Sequence, residues 1–181
     1  MSARNDNAKA ALDVFGKYVI QQARSNLSKK GKNSSNKLYS SLKYDVKVSK
    51  NSFQFAIEAE DYASFQDLGV KGKFKSAKAP NSPFKFGSGT GRKGGLSEGI
   101  LGWVTQKRFQ FQDRSTGKFL SFKATSFLIV RSIFNTGLKP SLFLTKPFED
   151  GFKRLPDDIV EAYGLDVETF LKQIIKNGKK N

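Results

Sequence analysis

The chain has 181 residues and a formal net charge of +16, from 32 Lys and Arg residues against 16 Asp and Glu residues. It contains no Cys and no His, which excludes disulfides, thiolate nucleophiles, zinc sites of the Cys/His type and Ser-His-Asp catalysis. The length favours one domain with a real core, and the 17 Phe residues predict that aromatic rings supply much of the buried area.

The excess positive charge predicts an anionic partner. Nucleic acid, an anionic membrane surface or an acidic protein could each neutralise it, and a simple solubility role is the alternative. The N-terminal residues lack the apolar stretch of a signal peptide, and no apolar run approaches the roughly 18–20 residues of a membrane helix. The sequence therefore predicts a soluble intracellular protein.

The first elements are a helix and a β-hairpin. Apolar residues at helical spacing predict an amphipathic helix over 8–27, with Asn5, Asp6 and Asn7 as candidate caps. Two segments of alternating polarity, 43–48 and 52–57, flank turn residues at 49–51 and predict the hairpin. Its apolar face should lie on the first helix, and it comprises Tyr44, Val46, Val48, Phe53, Phe55 and Ile57.

A long loop rich in Lys, Gly, Ser and Pro follows over 71–95. Loops of this length are uncommon inside a compact domain, and they are usually functional or disordered. Phe74, Phe84 and Phe86 interrupt the polar tract, which argues against simple disorder. We expect these rings to dock on a partner, and burial within their own domain is the alternative.

Helices dominate the rest of the chain. The pattern predicts helices over 96–111, 119–135 and 141–153 and a C-terminal helix over 157–176. The apolar stripe of the last one, at 167–175, is capped by Asp166 and ended by Asn177 and Gly178. The helix over 119–135 is the central one and is apolar on nearly all sides, so it should be buried from several directions. Part of that burial is expected to come from another subunit. Together the elements predict an α+β fold, in which the long N-terminal helix and the central helix pack on a small antiparallel sheet.

The sequence contains only weak motifs for nucleotide binding, metal binding or catalysis. Residues 89–94 fit the pattern G-x-G-x-x-G, but a loop precedes them rather than the buried strand that a dinucleotide site needs, which favours a flexible loop. Glu58 and Glu60 would share a strand face near Asp61 and could hold a divalent ion, as could Asp157 and Asp158. Solvated acids explain these residues more simply. We expect no catalytic residue, no cofactor and no metal.

The order of elements, together with two local motifs, resembles a known family. The first motif is Tyr-x-x-Phe-x-x-x-Gly at Tyr62, Phe65 and Gly69; the second is Arg-Ser-Ile-Phe-x-x-Gly-Leu-Lys-Pro over 131–140, followed by Phe143 and Leu144. The chain is similar to the tail-completion, head–tail joining (neck) proteins of tailed bacteriophages over roughly 8–152. The resemblance implies a non-enzymatic α+β subunit of the virion, assembled in the bacterial host cytoplasm. Such subunits form a ring in the neck or at the top of the tail, and DNA passes through its lumen without sequence-specific contacts. The long basic loop and the C-terminal helix look like additions.

On this hypothesis residues 1–152 form the tail-completion-like domain and residues 153–181 a C-terminal helical extension. Partners would be like subunits and other neck, portal-side or tail proteins, with neither a membrane nor a small-molecule substrate. The residues expected to dock on a subunit or partner are Phe74, Phe84, Phe86, Phe127, Phe143 and Phe148. Those expected to make electrostatic contacts are Lys71, Lys73, Lys75, Arg92 and Lys93.

Two other functions remain open at this point. A free, non-specific DNA-binding protein would use the basic loops, including the lysines at 29–37, and its affinity would depend steeply on salt. An enzyme with a carboxylate-bound metal would lose activity on Glu58→Gln or Glu60→Gln.

Overall fold

The computed structural model describes residues 3–29, 36–49, 52–88, 95–162, 167 and 171. The fold is α+β, and the chain divides into two compact units. Unit 1 comprises residues 1–67 and 142–181, and unit 2 comprises residues 68–141. The elements in chain order are α1 (Ala3–Lys29), α2 (Lys37–Ser41), β1 (Lys43–Val48), β2 (Phe53–Glu58), α3 (Ala63–Leu68), β3 (Val70–Lys71), α4 (Gly95–Gln106), α5 (Phe122–Thr136), β4 (Gly137–Leu138), α6 (Thr145–Phe152) and α7 (Asp157–Ala162).

The core of unit 1 forms around α1. One face of this helix is apolar at helical spacing, so it is buried between Ala8 and Leu27. Its buried members are Ala8, Leu12, Phe15, Val19, Ile20, Ala23 and Leu27. β1 and β2 pair antiparallel with Val48 opposite Phe53. Their predicted apolar face packs into the same core, which confirms the hairpin and its contact with α1.

Arg24 fixes the segment that leads from α1 into the hairpin. Its Nε donates to the carbonyl of Tyr39 at 3.2 Å, and its Nη2 donates to the carbonyl of Leu42 at 2.9 Å. The guanidinium also lies 5.2 Å from the centre of the Tyr39 ring. One side chain therefore satisfies carbonyls at the end of α2 that the helix leaves unpaired.

A buried carboxylate anchors α6. Asp67, at the end of α3, is almost fully buried; it accepts hydrogen bonds from the backbone N–H of Leu144 at 2.8 Å and of Thr145 at 3.3 Å. The Thr145 hydroxyl also donates to Asp67. The carboxylate thus occupies the N-terminus of α6, where free N–H groups and the helix dipole favour negative charge.

Unit 2 contains α4, α5 and the short β3–β4 pair. Val70 pairs with Leu138, and Lys71 pairs with Gly137. Gly69 and Gly137 have φ of +73° and +91°. A Cβ at Gly137 would lie 2.6 Å from the carbonyl oxygen of Val70. Glycine is needed here because two backbones approach closely in a conformation that other residues rarely adopt.

Several predicted boundaries differ from the structure. α1 begins at Ala3, so Asn5, Asp6 and Asn7 lie inside the helix and the prediction that they cap it is wrong. The helix predicted over 96–111 ends at Gln106, and the one predicted over 141–153 begins at Thr145, because Leu142 has φ of +50°. Of the last predicted helix, residues 157–162 are helical. Asp166, Asn177 and Gly178 lie outside the described residues.

The division into units also differs from the predicted boundary at residue 152. Leu155 and Ile159 are buried, and Leu155 belongs to the same core as Phe15 and Phe148. α5 lies in unit 2, where it contacts α4 and β4, rather than in the unit that contains the β1–β2 sheet.

Candidate interaction surfaces

The positive charge is concentrated in unit 2. Residues 68–141 contain 14 Lys and Arg residues against two Asp and Glu residues, a formal charge of +12 out of the chain's +16. The two acidic residues are Glu98 and Asp113. Any anionic partner attracted by the net charge is therefore attracted chiefly to unit 2.

The outward face of α5 is apolar and its inward face is partly polar. Thr125 and Ser126 are buried, and the Thr125 hydroxyl accepts a hydrogen bond from the backbone N–H of Phe111 at 3.2 Å. On the outward face, the side chains of Phe127 and Leu128 are 62% and 42% exposed. This arrangement reverses the usual one, because large apolar side chains normally face the core of their own domain. Within the chain this helix is therefore not buried on all sides, and its burial by another subunit stays a prediction.

Cations flank the exposed apolar residues of α5. Lys123 and Arg131 are exposed, and they lie four residues before and after Phe127 on the same helix face. We call Lys123, Phe127, Leu128 and Arg131 the α5 stripe. A partner on this stripe must cover apolar surface at the centre and accept positive charge at both ends.

The first part of the long basic loop is folded against the end of α5. The backbone N–H of Lys73 donates to the carbonyl of Phe134 at 2.8 Å, and that of Lys75 donates to Asn135 at 3.2 Å. The buried Ser82 hydroxyl donates to the carbonyl of Gly69 at 2.7 Å. These bonds hold residues 71–88 in one conformation, which the composition of the segment does not predict.

Among the predicted docking rings of this loop, Phe74 is the exposed one. Its side chain is 73% exposed, and the Lys73 ammonium lies 5.3 Å from the ring centre. Phe84 and Phe86 are half-buried, and the Phe86 ring lies 5.6 Å from that of Phe134. Phe84 and Phe86 therefore partly fit the alternative prediction, burial within their own domain. The Phe74 ring is exposed and remains available to a partner.

The structure brings the predicted electrostatic residues of this loop together. Lys71, Lys73 and Lys75 line a cavity of about 330 Å³ beside Phe74, and Lys85 completes its basic rim. Lys85 joins the group through the β-bridge between Lys71 and Lys85. Arg92, Lys93 and the glycine motif at 89–94 lie outside the described residues.

Two predicted docking residues belong to the core instead. Phe143 and Phe148 are fully buried in unit 1, and the rings of Phe148 and Phe15 meet edge to face with centres 5.1 Å apart. Their surface is already covered by their own unit, so the prediction that they dock on a partner is corrected to a structural role. The error arose because an apolar residue looks the same in sequence whether a core or a partner covers it.

The carboxylates considered for metal binding do not share a strand face. β2 ends at Glu58, so the strand does not continue to Glu60. Glu58, Glu60 and Asp61 line an open groove together with Lys37 and Lys43, and Lys43 is the cross-strand partner of Glu58. Within the described ranges, no three His, Cys, Asp or Glu side chains are grouped as metal ligands.

A second basic surface was not predicted from the sequence. Residues 109–121 form a small antiparallel hairpin in which Gln112 pairs with Phe119. Asp113 closes its turn by accepting from the N–H groups of Ser115 and Thr116 at 2.8 Å and 3.1 Å. The Asp-x-Ser-Thr-Gly sequence over 113–117 is a turn signal that would have predicted it. We call residues 107–123 the basic–aromatic hairpin.

In comparisons with known proteins, no family model, no curated protein and no solved structure matches the chain. In the part of the chain that the structure describes, no helix is long and apolar enough to span a membrane.

Proposed function

We propose that this chain is a structural, non-enzymatic virion protein of a tailed bacteriophage. It assembles as a homo-oligomeric ring in the neck or at the top of the tail, where it joins head and tail around the DNA channel. The observation that carries the proposal is the α5 stripe, in which Phe127 and Leu128 face outward while Thr125 and Ser126 are buried.

The stripe supports assembly because an exposed Phe and Leu at the centre of a helix gain free energy when a neighbour covers them. Full burial of one such side chain is worth about 1.5–3 kcal/mol. A ring of identical subunits supplies neighbours through head-to-tail contacts, in which the stripe meets a different face of the next copy. Such a contact also avoids placing Lys123 and Arg131 against their own equivalents.

The two motifs behind the family resemblance support the proposal in a second way. Gly69, which ends the first motif, and the adjacent Val70 lie beside Gly137 and Leu138 of the second, at the β3–β4 pair. Residues that are 68 positions apart therefore act as one structural feature. Their glycines are required by the backbone geometry, so the motifs describe a fold element rather than a catalytic site.

Sedimentation analysis of the purified chain tests assembly. We expect a concentration-dependent oligomer for the wild type and a shift to monomer for Phe127→Asp, because a carboxylate would be buried at the contact. Val14→Asp is the matched control, since Val14 is a 67% exposed helix residue of unit 1. A wild-type chain that stays monomeric at high concentration would count against the ring.

Electron microscopy of phage particles tests the joining role. We expect Phe127→Asp to yield filled heads without attached tails, whereas Val14→Asp should yield normal virions. Deleting the whole 71–95 loop is unsuitable, because Lys71 belongs to β3. Phe74→Asp tests the exposed part of the loop without removing a strand. Normal virions from both the Phe127 and the Phe74 variants would contradict the proposal.

A non-specific DNA-binding protein is the second candidate, because four lysines line one cavity in a unit of charge +12. It predicts that the monomer binds short DNA duplexes with an affinity that falls steeply with salt. Replacing Lys73, Lys75 and Lys85 by Ala would then weaken binding without changing the oligomeric state. The ring proposal expects the oligomeric state to depend on Phe127 instead.

A further inference from the structure

The basic–aromatic hairpin presents a group of aromatic rings to solvent. The rings of Trp103 and Phe109 lie 5.7 Å apart, and those of Phe109 and Phe111 lie 5.3 Å apart. Phe109 and Phe111 are still 39% and 38% exposed. Phe119 is 69% exposed, but it is the cross-strand partner of Gln112, so its ring lies on the other face of the hairpin. No other segment of similar length in the described ranges exposes three Phe rings.

Hydrogen bonds make this segment rigid despite its exposure. The backbone N–H of Asp113 donates to Lys118 at 2.9 Å, and that of Leu120 donates to Phe111 at 2.8 Å. The side-chain amides of Gln110 and Gln112 also donate to carbonyls of the opposite strand, Leu120 at 2.7 Å and Gly117 at 2.6 Å. The backbone that carries the exposed rings is therefore ordered before any partner binds, which lowers the entropic cost of binding.

The charges around these rings have one sign. Five exposed cations lie within the hairpin segment, namely Lys107, Arg108, Arg114, Lys118 and Lys123. Its one carboxylate, Asp113, is engaged by Ser115 and Thr116 inside the turn. The other acidic residue of unit 2 is Glu98 on α4. The surface consequently suits a ligand that combines repeated negative charge with flat apolar groups.

We propose that the basic–aromatic hairpin binds single-stranded nucleic acid, with phosphates on its Lys and Arg side chains and unpaired bases against its Phe rings. Single strands expose base faces that duplexes hide, and base–aromatic stacking tolerates any sequence. An acidic protein surface would satisfy the cations but would leave the rings without flat partners. This site shares Lys123 with the α5 stripe that carries the proposed ring, but its other cations and its Phe rings lie outside that stripe, so it does not depend on the ring.

Titration of the purified chain with an oligothymidylate of about 15 nucleotides tests the site. Trp103 is the sole Trp of the sequence, so its fluorescence reports binding beside Phe109 without a label. We expect tighter binding of the single strand than of a duplex of equal length. Phe111→Ala should weaken single-strand binding about 5- to 150-fold, the equivalent of one lost base stack.

The double variant Arg114→Ala, Lys118→Ala tests whether these cations contact phosphates. Removing two phosphate contacts should lower the slope of log affinity against log salt by about 1.4. Val14→Ala, which alters a similarly exposed side chain of unit 1, should bind like the wild type. Circular dichroism spectra matching the wild type would confirm that each variant is folded.

Three results would overturn the proposal. The first is unchanged single-strand affinity in the folded Phe111→Ala variant. The second is equal binding of single strand and duplex. The third is displacement of the oligothymidylate by polyglutamate of equal charge as effectively as by unlabelled oligothymidylate. Loss of oligomers in the Phe127→Asp variant is a separate readout, so the ring proposal and the nucleic-acid proposal can fail independently.

Discussion

Asp67 shows how a single side chain fixes the fold of unit 1. Its carboxylate accepts from Leu144 N–H at 2.8 Å and from Thr145 N–H at 3.3 Å, in a buried position. Asp67→Asn would remove the negative charge and turn an amide NH₂ toward groups that are themselves donors. We expect a loss of about 2–4 kcal/mol in the free energy of unfolding, measured by urea denaturation. Asp61→Asn, at an exposed position, should change it little, and equal effects would contradict the anchoring role.

Two glycines of unit 2 should respond in opposite directions to the same substitution. Gly137→Ala forces a side chain into φ of +91° and against the Val70 carbonyl, so we expect a loss of about 2 kcal/mol or more. Gly102 lies at an exposed position of α4, and a Cβ added there would meet open space. Gly102→Ala should therefore stabilise the protein by about 0.5–1 kcal/mol. Thermal unfolding of both variants measures the contrast, and a stabilising Gly137→Ala would show that the β3–β4 geometry is wrong.

At the scale of elements, the turn of the basic–aromatic hairpin should respond to acid. The Ser115 hydroxyl, followed by the N–H groups of Ser115 and Thr116, lowers the pKa of Asp113 from its ordinary value of 3.8. A lowered pKa in the folded state stabilises the turn above pH 3.8, and this contribution is lost as the pH falls through the lowered pKa. The amide chemical shifts of Ser115 and Thr116 should therefore titrate with a midpoint below 3.8. Ser115→Ala should move that midpoint upward, and an unmoved midpoint would contradict the stated cause.

Elements were predictable from the sequence where hydrophobic period and burial agree. The α1 stripe repeats every three to four residues, and β1–β2 alternates around a polar turn, so both were predicted with nearly correct bounds. Each strand of the β3–β4 pair has two residues, which is too short to show a hydrophobic period. Its glycines were therefore the only sequence feature that pointed to it. α5 was located, but its orientation was not predicted, because periodicity assumes that apolar residues face inward. Phe127, which is 62% exposed, shows that this assumption fails on the outward face of α5.

The candidate surfaces were predictable to a smaller extent, because a sequence gives residue types but not exposure. The lysines at 71, 73 and 75 were predicted and do line one cavity. Phe143 and Phe127 received the same docking prediction, yet the Phe143 side chain is fully buried and that of Phe127 is 62% exposed. Nothing in their local sequence separates the two. Three-dimensional packing was needed to decide which apolar residue is exposed.

For the whole molecule, the uneven charge predicts a stability that rises with salt. The charge of +12 in unit 2 repels itself across distances that about 0.1 M salt screens, where the Debye length is roughly 10 Å. We expect the Tm to rise by several degrees as NaCl increases from about 20 to 300 mM. Hydrogen exchange followed by mass spectrometry should show that peptides of unit 2 gain more protection than those of unit 1.

Two charge-reversal pairs separate local charge density from net charge. Lys107→Glu with Lys118→Glu changes unit 2, and Lys9→Glu with Lys17→Glu changes unit 1, so that both pairs lower the net charge equally. The first pair relieves repulsion and should flatten the dependence of Tm on salt. The second removes two lysines that flank Asp13 at a spacing of four residues on α1, a favourable arrangement, and should destabilise the protein without flattening that dependence. Equal flattening by both pairs would show that net charge, rather than its concentration in unit 2, governs the salt response.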